Sequence, residues 1–245
     1  MADRKVLLVT GGGRGIGAAV VRLAAARGWD VVLTYAGNAA RAAETAAAAE
    51  AAGARALAIQ ADVGDPQAVA ATFAQVRDRF GRLDALVNNA GITGPTSTLR
   101  ESTDAMWETV FRTNVFGLAA CCRAALAVLP PGGAIVNVSS RAAAIGGAGE
   151  WVHYAASKGA VDTLTIGLAK EAAAQGVRVN AVNPGLIETE LHAAAGMPDR
   201  LSRLVGSIPM ARGGQPEEAA EAVLWLLSDA ASYVTGALLP VSGGR

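Results

Sequence analysis

The chain contains 245 residues, of which 52% are hydrophobic, and its 21 basic side chains balance its 21 acidic ones. This length fits one α/β domain with a sizeable core, and the zero net charge argues against nucleic acid or an acidic membrane surface as a partner. No uncharged apolar run reaches the ~18 residues that span a bilayer. The first residues lack the pattern of a secretory signal, so we expect a cytoplasmic location.

Strand-like and helix-like patterns alternate along the whole chain. Short apolar runs predict strands at residues 5–10, 31–35, 55–60, 83–87, 134–138, 177–182 and 237–241. Helical patterns occupy residues 15–27, 38–52, 66–80, 103–129, a segment through Tyr154 to about 175, and 216–228. Such repeated units predict a single α/β domain over residues 1–245, with a doubly wound parallel sheet of about seven strands flanked by helices on both faces.

The connection at residues 186–213 differs from the others. It has weak periodicity and three glycines, and it is too long for an ordinary connection. Long loops of this kind commonly act as lids or binding segments. We therefore predict that it forms a substrate lid.

A glycine-rich turn follows the first predicted strand and opens the first predicted helix. It reads Thr10-Gly11-Gly12-Gly13-Arg14-Gly15-Ile16-Gly17. Glycine lets the backbone approach a ligand closely, and free N–H groups at the start of a helix bind phosphate. Ligands of doubly wound sheets lie at the carboxyl ends of the strands, so this turn predicts a dinucleotide site there.

Tyr154 and Lys158 are four residues apart, which places them on one face of a helix. At roughly 5 Å and an effective dielectric constant of about 20, their attraction would be ~3 kcal/mol, enough to lower a pKa by about two. A tyrosine near pH ~10 would then approach the range of general acid–base catalysis. The spacing alone is more typical of a structural pair than of a catalytic one.

The chain resembles the short-chain dehydrogenase/reductase family over essentially its whole length. The resemblance rests on motifs in the family's order and spacing: the Thr-Gly-x-x-x-Gly-x-Gly loop at 10–17, Asp62-Val63, Asn88-Asn89-Ala90-Gly91, Asn114, Ser140, Tyr154, Lys158 and Pro184-Gly185. It implies a single-domain Rossmann fold. It also implies an oxidoreductase that transfers a hydride between a nicotinamide cofactor and a small-molecule carbonyl or secondary alcohol.

The resemblance assigns four catalytic residues. Tyr154 is the general acid in reduction and the base in oxidation, and Ser140 hydrogen-bonds the substrate oxygen. Lys158 lowers the pKa of Tyr154 and holds the nicotinamide ribose, and Asn114 fixes a water that links Lys158 to solvent. Ser139 is the competing choice for the serine. No metal ion is expected.

The cofactor should lie along the carboxyl edge of the sheet. The residues that the resemblance and the motifs place against it are Gly11, Gly13, Arg14, Gly15, Ile16, Gly17, Tyr35, Asn38, Asp62, Val63, Asn89, Ala90, Gly91, Tyr154, Lys158, Pro184, Gly185, Ile187 and Thr189. Asn88 is expected to make structural hydrogen bonds instead.

NADP(H) is the preferred cofactor, with NAD(H) possible. Members of the family that prefer NAD carry an acidic residue at the end of the second strand, where this chain has Tyr35. Arg14 resembles the basic residue that NADP-binding members carry in the glycine-rich loop, and a guanidinium pairs strongly with phosphate. No arginine directly follows the second strand.

Two other functions remain open. One is a 3-oxoacyl-[acyl-carrier-protein] reductase, although the turn at 130–133 lacks the basic residues that such reductases often carry there. The other is a non-catalytic nicotinamide-binding regulator, although such proteins usually lose the tyrosine, the lysine or the serine. The resemblance further implies a homotetramer or homodimer, paired through the helix near 103–129 and the helix bearing Tyr154.

Overall fold

In the computed structural model, which describes residues 4–245, seven strands form one sheet. They are β1 (Val6–Thr10), β2 (Asp30–Tyr35), β3 (Ala56–Gln60), β4 (Ala85–Asn88), β5 (Ala134–Val138), β6 (Arg178–Pro184) and β7 (Leu238–Val241). Their order is β3-β2-β1-β4-β5-β6-β7, and each neighbouring pair is parallel. The predicted doubly wound sheet is confirmed.

Helices cover both faces of this sheet. Their bounds are α1 (Gly15–Ala26), α2 (Ala39–Ala51), α3 (Pro66–Phe80), α4 (Asp104–Phe111), α5 (Leu118–Leu126), α6 (Ala142–Ile145), α7 (Val152–Ala173), α8 (Leu191–Ala194), α9 (Arg200–Leu204) and α10 (Pro216–Leu227). Within residues 4–245, none of them combines the length and apolarity needed to cross a bilayer.

The strands are buried on both sides, which explains why they read as continuous apolar runs. Along β1, Leu7 and Val9 join a core cluster with α1, α2 and α10. Val6 and Leu8 join the opposite cluster with α3, α5 and α7. All four side chains are fully buried. Because neither face of the sheet is open to solvent, we expect a ligand to bind at the ends of the strands.

The predicted continuous helix at 103–129 is wrong in two respects. A π-helical segment, Arg112–Gly117, separates α4 from α5, and α5 ends at Leu126. The backbone of Gly117 lies against Val63, where an added Cβ would be 2.6 Å from the Val63 carbonyl oxygen. The wider turn also directs Asn114 inward, where it is buried. Such π-bulges occur frequently at functional sites.

The segment 186–213 leaves and rejoins the body at one point. Glu188 N donates to the Gly214 carbonyl (2.8 Å), and Gly214 N donates to the Leu186 carbonyl (2.9 Å). Between these ends the chain forms α8, α9 and a 3₁₀ turn, Val205–Ser207. The segment is therefore a loop whose two ends are hydrogen-bonded to each other, beside the carboxyl ends of the strands. Its action as a lid stays a prediction.

Candidate active site

A cleft of about 580 Å³ runs along the carboxyl edge of the sheet. It brings together most of the residues predicted from the sequence: Gly11, Gly13, Arg14, Gly15, Ile16, Tyr35, Asn38, Asp62, Val63, Asn89, Ala90, Gly91, Ser140, Tyr154, Lys158, Pro184, Gly185, Ile187 and Thr189. Gly17 and Asn114 are not on its wall. We call the part near the glycine-rich loop the nucleotide end, and the part near Tyr154 the catalytic end.

Hydrogen bonds join the loops after β1 and β4 into one wall. Gly11 turns the chain with φ at 65°, a conformation that strains other residues. Thr10 Oγ1 accepts the N–H groups of Asn89 (3.0 Å) and Ala90 (3.1 Å). Asn89 Nδ2 donates to the main-chain oxygens of Thr10 (3.0 Å) and Gly11 (2.9 Å). The Asn89 amide therefore braces the wall of the nucleotide end.

Gly17 serves close packing and does not face the cleft. An added Cβ would overlap Asn89 Nδ2 and the Gly11 carbonyl oxygen. The sequence placed Gly17 against the cofactor, whereas the structure places it behind the wall. The missing side chain is what lets α1 approach the loops this closely.

The start of α1 has the features of an anion site. Arg14 occupies the N-cap position without a side-chain capping bond, and the first turn contains no acidic residue. By contrast, Asn38 caps α2 and Asp65 caps α3. Uncapped helix N–H groups beside glycines bind phosphates, so the residues present fit the pyrophosphate of a dinucleotide.

Two guanidinium groups line the nucleotide end. Arg14 Nη1 lies 3.8 Å and Arg41 Nη2 lies 3.5 Å from the carboxylate of Glu190, in the segment 186–213. Sequence reasoning found Arg14 but missed Arg41, because it looked for an arginine directly after β2. The available signal was that Arg41 lies in the first turn of α2, whose start faces the carboxyl edge.

At the catalytic end, Tyr154 and Ser140 both line the cleft. Burial raises the pKa of the Tyr154 phenol above its ordinary value of 10.0, while the nearby Ser140 hydroxyl and the charge of Arg200 act in the lowering direction. The sequence predicted a pKa lowered by Lys158. The net direction is upward because the desolvation of a buried phenol outweighs these contributions.

Lys158 lies beside the phenol but donates elsewhere. Its Nζ is 5.7 Å from the centre of the Tyr154 ring and donates to the Val138 carbonyl at 2.8 Å. Burial lowers the pKa of the ammonium to about 8, and the charge of Asp162 opposes this. The ammonium is thus a destabilised charge held next to the phenol.

Asn114 lies one layer behind the wall. Its Nδ2 donates to the Ile92 carbonyl (2.8 Å) and to Ser157 Oγ (3.0 Å), and its Oδ1 accepts from Ile92 N (2.9 Å). Both amide N–H groups are engaged, so a water bridge to Lys158 through this residue would use the second lone pair of Oδ1 or the main chain. Gly91 separates the two, since a Cβ there would be 3.3 Å from Asn114 Oδ1 and 3.5 Å from Lys158 Nζ.

Two nearby polar residues make structural hydrogen bonds. Asn88 Nδ2 donates to Asn137 Oδ1 at 2.9 Å, linking β4 to β5 away from the cleft. Ser139 Oγ donates to the Lys158 carbonyl at 3.2 Å and is buried. The Asn88 contact agrees with its structural interpretation; Ser139 and Ser140 both line the cleft, and the choice of Ser140 stays a prediction.

Three arginines missed by the sequence reasoning line the catalytic end: Arg141, Arg200 and Arg245. Arg200 pairs with Glu150 through Nη2 (2.7 Å) and stacks over Trp151 at 4.6 Å from the ring centre. Trp151 is buried beneath Arg200 and forms part of the pocket wall. No motif marked these arginines, because only the tertiary fold brings them to Tyr154.

Among the described residues, no group of three or more His, Cys, Asp or Glu side chains is arranged to hold a metal ion.

A family model described as Enoyl-(Acyl carrier protein) reductase matches residues 11–245. The chain is 49% identical to the uncharacterized oxidoreductase YgfF of Escherichia coli, with 98% of this chain and 99% of that protein covered. The chain belongs to the short-chain dehydrogenase/reductase family. It is accordingly an NAD(P)-dependent oxidoreductase acting on CH–OH and C=O groups.

Other similar proteins differ in substrate. A cis-4-hydroxycyclohexanecarboxylate dehydrogenase of Sinomonas cyclohexanicum is 44% identical, with 98% of this chain and 96% of that protein covered. A 3-oxoacyl-[acyl-carrier-protein] reductase of Staphylococcus aureus is 39% identical, with 100% and 99% covered. A short-chain dehydrogenase of Burkholderia cenocepacia, solved in complex with NADP, is 36% identical with a TM-score of 0.92 over 98% of this chain and 97% of that one.

Proposed function

We propose that this protein interconverts a small-molecule carbonyl and a secondary alcohol with NADP(H), using Tyr154 as general acid and base. The observation that carries the proposal is that Tyr154, Ser140 and Lys158 line the same cleft as an uncapped, glycine-rich helix start. This arrangement combines a proton donor with a nucleotide site.

The residues divide the reaction between them. A bound nicotinamide supplies the hydride that adds to the carbonyl carbon. Ser140 donates a hydrogen bond to the substrate oxygen as negative charge develops there, and Tyr154 transfers its proton to that oxygen. A raised phenol pKa keeps Tyr154 protonated at neutral pH, which suits reduction. The charges of Arg200 and Lys158 stabilise the phenolate that remains.

The proposed preference for NADP(H) rests on two arginine side chains near the nucleotide end and on the lack of a carboxylate at the end of β2. Arg14 and Arg41 line the nucleotide end, and β2 ends in Tyr35, which carries no carboxylate to repel a 2′-phosphate. Glu190 is close to both guanidinium groups in this structure. We propose that a 2′-phosphate takes its place, because a dianion attracts the pair more strongly than a carboxylate.

Turnover of a substrate panel with NADPH and with NADH tests the proposal. The panel contains cyclic ketones, sugars, steroids and an acetoacetyl thioester, with the corresponding alcohols for oxidation. We expect reduction of at least one carbonyl class with NADPH at a higher kcat/KM than with NADH. Tight NADPH binding without turnover of any compound would favour a nicotinamide-binding regulator.

The carrier-protein reductase is the second candidate, supported by full-length similarity to the enzyme of Staphylococcus aureus. The 44% identical relative, named for a cyclic hydroxy acid, supports the small-molecule alternative. The acetoacetyl thioester distinguishes them. A kcat/KM for the thioester above that of every other carbonyl in the panel would favour the carrier-protein reductase.

We also propose that the chain forms a homotetramer or homodimer. Phe116, in the π-helical segment, and Ile166, on α7, are 65% and 40% exposed. These apolar side chains lie on the two helices through which the family pairs. Light scattering on purified protein tests this, with a monomer at micromolar concentration as the contradicting result.

A further inference from the structure

We propose that the substrate carries a carboxylate and that Arg245 binds it. The inference rests on the proposed function, since it concerns the catalytic end of the same cleft. Three guanidinium groups line this end, those of Arg141, Arg200 and Arg245. Their existing partners determine which of them is available to a ligand.

Arg141 and Arg200 are already engaged. Arg141 Nε donates to the main-chain oxygen of Arg245 at 2.7 Å. Arg200 donates to Glu150 Oε2 through Nε (3.0 Å) and Nη2 (2.7 Å), and its side chain is only 12% exposed. Both side chains are therefore fixed in place, and Arg200 keeps its position over the ring of Trp151.

The guanidinium of Arg245 has no such partner. Among residues 4–245, no carboxylate lies within 4.0 Å of it, and no hydrogen bond from its side chain is formed. Its backbone is nonetheless held, because its main-chain oxygen accepts from Arg141 and from Ser242 Oγ (2.9 Å). Arg245 thus lines the cleft with its backbone held in place and the planar set of donors on its guanidinium unused.

The local charge balance at this end favours an anion. Burial and the like charge of Arg200 lower the pKa of Arg245, and Glu150 only partly offsets this. The carboxylates on the cleft wall, Asp62 and Glu190, belong to the nucleotide end. An anion beside Arg245 would relieve the repulsion between the two guanidinium groups, and a carboxylate matches their bidentate geometry.

The arginines that would attract a substrate carboxylate are also close to Tyr154 and Ser140. The charge of Arg200 acts on Tyr154, so the phenol and the arginines share one compartment. Arg141 directly follows Ser140 in the chain. A compact oxo acid would place its carbonyl oxygen at Ser140 and Tyr154 and its carboxylate at Arg245. The positive end of the cleft thereby selects charged over neutral carbonyl compounds.

Kinetics on matched pairs test this assignment. The substrates are 4-oxopentanoate, 5-oxohexanoate and the methyl ester of each acid. Their reduction by NADPH is measured for the wild-type enzyme and for the Arg245→Gln and Arg203→Gln variants. Arg203 is the control, because it lies on α9, pairs with Asp199 (3.3 Å) and is not on the cleft wall. We expect wild type and Arg203→Gln to show at least a tenfold lower KM for an acid than for its ester, a difference of about 1.4 kcal/mol. Arg245→Gln should abolish that difference, because the KM for each acid rises to about the KM for its ester.

Calorimetry separates failure of this site from failure of the proposed function. Hexanoate and hexanamide are titrated into the NADP⁺-bound enzyme and its Arg245→Gln variant. Tighter binding of hexanoate to wild type, lost in the variant, supports the site even if no oxo acid is reduced. Equal binding of the two compounds, or an acid preference that persists in Arg245→Gln, overturns the inference while leaving reduction of neutral carbonyls intact.

Discussion

The two ends of the cleft are built in different ways. The nucleotide end consists mainly of backbone from one stretch, the glycine-rich turn, fastened by Asn89 to the neighbouring loop. The catalytic end consists of side chains from distant segments, including Ser140 after β5, Tyr154 on α7 and Arg200 on α9. One end is therefore encoded locally, and the other is assembled only when the chain has folded.

Charge is also handled differently at the two ends. The side chains of Arg14 and Arg41 are 50% and 54% exposed, so solvent screens them. Lys158 is buried and Tyr154 is half-buried beside it, and desolvation moves the pKa of each in the direction that favours its neutral form. Substitutions should accordingly have large effects at the catalytic end and moderate effects at the nucleotide end.

Ser140→Ala tests the catalytic end through a large loss of turnover with cofactor binding unchanged. Removing a donor to the developing charge should lower kcat by on the order of 10²–10³-fold while the NADPH Kd stays the same. Steady-state kinetics and fluorescence titration of NADPH measure the two quantities. Ser139→Ala is the control, because its hydroxyl bonds the backbone of α7. It should lose about 1 kcal/mol of stability and little activity; equal losses of kcat in both variants would contradict the assignment of Ser140.

Lys158→Met should inactivate the enzyme and yet stabilise the cofactor-free protein at neutral pH. The folded-state pKa of about 8 is below the ordinary value of 10.5, so the charged amine costs stability in full below pH 8. This cost, about 3 kcal/mol, disappears as the pH rises toward 10.5. Loss of the bond to the Val138 carbonyl offsets about 1 kcal/mol of the gain.

Urea denaturation at several pH values measures this effect. The expected gain is about 2 kcal/mol at pH 7, shrinking above pH 8 and reversing sign near pH ~10. If the variant is less stable than wild type at pH 7, or if the gain does not change with pH, the charged ammonium does not lower the free energy of unfolding.

Arg41→Gln should give the smallest effect, confined to one cofactor. We expect the Kd for NADPH to rise about tenfold and that for NADH to change less than twofold, since only NADPH carries the 2′-phosphate. Arg22→Gln is the control, because Arg22 is a half-exposed arginine paired with Glu217 and not on the cleft wall. If Arg41→Gln weakens both cofactors equally, its role is structural.

Local patterns predicted most of the fold and one end of the cleft. The sheet followed from apolar runs, and the glycine-rich turn followed from a contiguous motif. The π-helical segment could not be predicted, because it depends on Gly117 meeting the backbone of Val63 from a separate element. Arg200 and Arg245 were missed for the same reason. The predicted direction of the Tyr154 pKa shift was wrong, because residue spacing indicates a neighbouring charge but not how far the phenol is removed from solvent.

The most direct test of this account is single-turnover reduction by Tyr154→Phe, using a carbonyl identified in the substrate panel. The account predicts that NADPH binds with a Kd within about twofold of wild type, while the rate of reduction falls by on the order of 10²–10⁴-fold, the usual contribution of a general acid. A variant that binds NADPH normally and reduces the carbonyl at the wild-type rate would contradict the assignment of Tyr154 as the proton donor.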